Sequence, residues 1–114
     1  MSQEIIELLI HIIKAEPYKE ITGFLLIDKE KQQEFIRMKN LSGNPNAFFI
    51  LDNDVLLVKR YADFQGLKII GFIHSHNGST EMSNHDIHTF KTSEFDWIIV
   101  ALVNESLRIA YYNK

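Results

Sequence analysis

Apolar residues at positions 5, 6, 8, 9, 12 and 13 recur at helical spacing, with Glu4, Glu7 and Lys14 left to the other side. This predicts an amphipathic helix over residues 3–15, ended by Pro17, which disfavours helical geometry at Glu16. Residues 20–28 (EITGFLLID) are a nearly unbroken apolar run, expected as a strand buried on both faces. A charged turn at 29–31 follows, and then residues 33–41 mix Phe35 and Ile36 with polar neighbours, a second and less buried strand. Residues 40–46 (NLSGNPN) carry turn chemistry and lead to a short strand expected over 47–51. Asp52 is expected to cap a helix running to about residue 64, with Gly66 as its stop.

Residues 67–73 (LKIIGFI) predict a third apolar strand that empties into His74, Ser75 and His76. After a loop at 77–82, Ser83 precedes a short helix through Phe90, and two closing strands over 97–103 and 106–112 flank a turn at Asn104 and Glu105. Gly23 is expected to permit close approach of a neighbouring element, and Phe72, Phe90 and Trp97 to lie in the core. The order of elements gives an α/β fold, a mixed β-sheet sandwiched by helices.

At 114 residues and 46% hydrophobic content the chain suits one domain, 1–114, with a real core. It has no cysteine, so a metal would have to be held by His, Asp or Glu, and a reducing cytoplasmic location is expected. The net charge of -3 comes from interspersed charges and leaves no basic footprint for nucleic acid. The apolar run near the start is broken by Glu7 and His11 and lacks a cationic flank, so neither a signal peptide nor a membrane span is expected.

Four of the five histidines, His74, His76, His85 and His88, fall within fifteen residues. His74 and His76 are two apart, so on an extended strand end they project from one face and can converge on an ion, while Ser75 faces the other way. Asp86, ten residues further on and on the first turn of the next helix, is a candidate third ligand. Two imidazoles and a carboxylate suit zinc, and three protein ligands leave one tetrahedral position open, as in catalytic sites. Ser83 and Asp86 also fit a capping box, in which each satisfies the other's backbone and which the pair taken alone favours, and for Ser83 the two roles can coexist. His85 and His88 are expected on the helix surface. A metallo-β-lactamase pattern fails because Gly78 and Ser79 stand where its aspartate and histidine would, and a cytidine-deaminase site needs cysteines.

These residues resemble the motif of the JAMM, or MPN-plus, zinc metallopeptidases: an upstream glutamate, His-x-His, a loop, and Ser-x-x-Asp. Here they are Glu20, His74, His76, Ser83 and Asp86. The flanks are similar too, in Glu20-Ile-Thr-Gly-Phe-Leu and in Ile70-Gly-Phe-Ile-His-Ser-His. The loop from Asn77 to Met82 is one residue shorter than the family's usual length, and Asn77 replaces its usual proline. Keeping the usual length would put Asn84 and Ile87 in the serine and aspartate places, and Ile87 cannot ligate a metal.

The resemblance implies an MPN/JAMM-like single domain, related to the cytidine-deaminase-like architecture, with Zn2+ on His74, His76 and Asp86. It implies Glu20 as general base and acid and Ser83 as oxyanion donor. From spacing alone Glu16 and Glu81 are comparable candidates for the base. The implied activity is hydrolysis of a peptide or isopeptide bond at the C-terminal tail of a ubiquitin-like or small sulfur-carrier-like protein. The rival is a metal-free member of the same fold acting as a scaffold or protein-binding module. The helix near the start could equally serve a homodimer.

Overall fold

The computed structural model describes all residues, 1–114. Three helices, α1 (Gln3–Ala15), α2 (Asp52–Gln65) and α3 (Asn84–Thr92), accompany five strands: β1 (Thr22–Ile27), β2 (Gln33–Met38), β3 (Lys68–Asn77), β4 (Trp97–Val103) and β5 (Ser106–Tyr112). They form one mixed sheet in the order β2-β1-β3-β4-β5, in which only β3 and β4 run parallel.

The sheet is apolar on both faces because helices cover both. On one side Ile5 and Leu9 of α1 pack with Leu25, Ile73, Ile98 and Val100. On the other, Val58 and Ala62 of α2 join Phe24, Leu26, Phe72 and Trp97, with Phe90 of α3 against them. Full burial of each of these Leu, Ile, Val and Phe side chains is worth about 1.5–3 kcal/mol. No helix is long and apolar enough to cross a membrane.

The helix and strand expectations hold for seven of the eight elements within two or three residues, while β3 runs four residues further than expected, through both histidines to Asn77. Gly66 ends α2 with φ of 69°, and Asn104 and Glu105 take φ of 50° and 66°, the backbone of a tight two-residue hairpin. Two expectations fail. Residues 47–51 form no strand, because the Asn40 side chain takes their backbone groups: Asn40 Oδ1 accepts from the Phe49 N–H and Asn40 Nδ2 donates to the Ala47 carbonyl. Asp52 is the first residue of α2 and not its cap; Leu51 holds the cap position, without a side-chain hydrogen bond.

Gly23 shows why β1 and β2 can lie so close. A Cβ there would stand 2.4 Å from the Phe35 ring and 2.5 Å from the Ile36 carbonyl oxygen, and backbone cannot swing aside. Gly23→Ala is therefore expected to destabilise the protein by about 1–3 kcal/mol, seen as a lower urea midpoint at unchanged slope.

Candidate metal centre

The site lies where the end of β3 meets the start of β1. Their antiparallel register pairs Thr22 with His74 and Phe24 with Phe72. Continued two residues past the ladder, it sets Glu20 across from His76. Side chains alternate along a strand, so Glu20, His74 and His76 all fall on the face that carries Phe72 and Trp97. Long-range pairing thus brings together three residues that lie up to 56 positions apart in the chain.

Ligand-capable atoms of Glu20, His74 and His76 all lie within 4.8 Å of one another. His74 is completely buried, its ring 4.8 Å from those of Phe48 and Trp97 and 5.0 Å from that of His76. Its Nδ1 meets Glu20 Oε1 at 3.1 Å. With the ring neutral, this contact selects the tautomer that carries its hydrogen on Nδ1 and leaves Nε2 as a lone pair. That Nε2 is buried with no hydrogen-bond partner in the protein.

Asp86 is brought in by the start of α3. Its N–H donates to Ser83 Oγ at 3.0 Å and its Oδ2 accepts the Ser83 N–H at 3.1 Å, so the capping box is formed. The same Oδ2 lies 2.9 Å from His76 Nε2. The short loop therefore still returns Asp86 to the histidines, and Ile87, the residue that the longer spacing would use, is exposed. Asp86 stands one contact out from the Glu20, His74 and His76 group, reached through His76.

The hydrogen bond to Asp86 raises the His76 pKa, against the opposing effect of burial. For Asp86, burial pushes upward, but the His76 hydrogen bond, the His74 charge, the Ser83 N–H and the His76 charge together bring the carboxyl down to about 2. The signs fix a stability window. Asp86, lowered, stabilises the metal-free protein above its ordinary 3.8 and loses that contribution as pH falls through about 2. His76, raised, contributes fully below its ordinary 6.5 and loses this as pH rises through the raised value. Urea midpoints of metal-free wild type and Asp86→Asn are expected to differ most between 3.8 and 6.5 and to converge in acid.

A polar cleft opens onto this cluster, lined by Lys19, Glu20, Ser75, His76, Ser79 and Ser83 among others. Glu20 is 6% exposed, yet it reaches this cleft, whereas Asp86 does not line it. Of the other glutamates open on spacing, Glu16 pairs with Arg37 and Glu81 is exposed. His85 and His88 are on the surface of α3. The aromatic surround of His74, above all Phe48, leaves no signal in the sequence, because Phe48 reaches it from a segment with no regular structure.

Two imidazoles, two flanking carboxylates and an orphaned buried imidazole nitrogen suit a zinc ion, since unprotonated nitrogen and carboxylate oxygen are the donors it takes.

Comparison with known proteins bears on the family and the fold. The family described as prokaryotic homologs of the JAB domain matches residues 2–111. Similar solved structures include a protein from Desulfitobacterium hafniense, with TM-score 0.78, 16% identity, and coverage of 96% of this chain and 80% of that one. A JAB1/MPN domain protein from Archaeoglobus fulgidus follows at TM-score 0.59, 20% identity, and 93% and 82% coverage. A protein from Salinibacter ruber gives TM-score 0.58, 22% identity, and 96% and 78% coverage. At these identities the likeness establishes the fold. The comparison with curated proteins gives no match.

Proposed function

Because the chain belongs to the family of prokaryotic JAB-domain homologues, whose model spans residues 2–111, we propose that it is a zinc-dependent peptidase or isopeptidase. The observation that carries this is the convergence of Glu20, His74 and His76 within 4.8 Å, with Asp86 against His76. His74, His76 and Asp86 would hold the zinc. When bound there, zinc polarises the scissile carbonyl and makes water acidic enough to ionise near neutrality.

The protein's own groups do the rest. Glu20, facing the cleft, takes the proton of the attacking water and returns it to the leaving amine. Its position supports base over ligand, because it is open to the side from which water and substrate arrive. Ser83 Oγ accepts the Asp86 N–H, so its own O–H is free to donate to the developing oxyanion in the cleft that it lines.

The substrate we infer is the extended C-terminal tail of a ubiquitin-like or small sulfur-carrier-like protein. Such a tail can add as a strand to a sheet edge, and β2, beside the strand that leads from Glu20, is one. The test is cleavage of ubiquitin-like proteins carrying a reporter after the C-terminal glycine. Cleavage that stops with a chelator and returns with zinc is expected. The direct pairing of His76 with Asp86 favours a second reading, a metal-free binding module, and failure to cleave despite stable capture of the same proteins would support it.

A further inference from the structure

The ladder between β1 and β3 stops at Thr22 and His74, two residues short of Glu20. A chain just past its strand would ordinarily fray, and a base there would wander. Here the single peptide group that joins Glu20 to Ile21 is gripped at both ends by buried side chains. Its carbonyl, belonging to Glu20, accepts from Asn40 Nδ2 at 3.0 Å. Its N–H, belonging to Ile21, donates to Ser75 Oγ at 2.8 Å. The Ser75 N–H then donates to the Ile21 carbonyl at 3.0 Å.

The two grips come from opposite sides, Asn40 from the chain just beyond β2 and Ser75 from β3. Asn40 is itself immobilised, since Nδ2 also donates to the Ala47 carbonyl at 3.1 Å and Oδ1 accepts from Ser42 N at 3.0 Å and Phe49 N at 2.9 Å. With all its hydrogen bonds made inside the protein, its amide cannot turn without losing several at once.

We propose that Ser75 and Asn40 are positioning residues, which fix the Glu20 carboxylate against His74 by clamping the peptide that follows it. The proposal rests on Glu20 as the base, but the clamp is a property of the metal-free protein and is tested there. Ser75 thereby has a task of its own between the two histidines. The alternation that turns their imidazoles to one face leaves its hydroxyl to reach across to the strand that leads from Glu20.

The experiment is amide exchange and imidazole nitrogen–proton correlation by NMR on metal-free protein at one fixed pH. In wild type the Ile21 amide should be protected to an extent comparable with Leu25, and His74 should show a proton on Nδ1. In Ser75→Ala, Ile21 exchange should speed up at least about 10-fold while Leu25 is unchanged, and the Nδ1 proton signal should broaden or vanish. Ser75→Thr, which keeps the hydroxyl, should restore both. Asn40→Asp sets an acceptor against the two carbonyls and should produce the same pair of changes from the other end.

An unprotected Ile21 amide in wild type overturns the clamp before any variant is made, and so does a folded Ser75→Ala or Asn40→Asp with the wild-type His74 signal. In zinc-loaded protein Ser75→Ala should lower kcat roughly 10–100-fold at unchanged zinc content and KM. Absence of hydrolysis in wild type would contradict the peptidase reading and leave the NMR result standing, so the two failures are distinguishable.

Discussion

Glu20→Gln is expected to bind zinc as the wild type does and to lose turnover by roughly 10²–10⁴-fold. Glutamine keeps the shape of glutamate and can still accept the His74 Nδ1–H through its amide oxygen, so the 3.1 Å contact has a replacement. What it cannot do is take a proton from water. The loss should therefore fall on kcat, with zinc content held and the fold intact by circular dichroism. Loss of the zinc with the activity would instead make Glu20 a ligand, an outcome that its place in the 4.8 Å group makes worth checking.

His74→Ala is expected to remove zinc binding altogether and also to destabilise the metal-free protein by roughly 2–5 kcal/mol. The imidazole fills a fully buried site between Phe48, Phe72 and Trp97, so its removal leaves a cavity that rings cannot easily close. It also strips a buried carboxylate of its hydrogen-bond donor. The two effects separate experimentally. Zinc at about a hundred times its Kd should stabilise wild type by about 2.7 kcal/mol and the variant not at all.

Much of this was legible in the chain, and the reasons for the rest are physical. Local pattern gave the helices and strands, because apolar periodicity and turn residues act over a few positions. The pairing of His74 and His76 on one face followed from strand alternation alone. Glu20 was singled out only through the family resemblance, since nothing near residue 20 shows that β1 pairs with β3 in the register that sets it across from His76. Residues 47–51 depart from their pattern for a related reason: it suits a strand, but the partner for their backbone is one side chain, Asn40, from the far side of a turn. The aromatic surround of His74 is equally a product of tertiary packing. The capping box and the metal motif share Ser83 and Asp86 without conflict, since the geometry satisfies the cap while keeping Asp86 on His76.

The most direct test is elemental analysis of the purified protein after dialysis, beside His76→Ala and Asp86→Ala. About one zinc per chain in wild type, absent from both variants, is the predicted result. No zinc in wild type even after reloading would contradict it, and the ion pair of His76 with Asp86 would then be the finished structure of a metal-free domain.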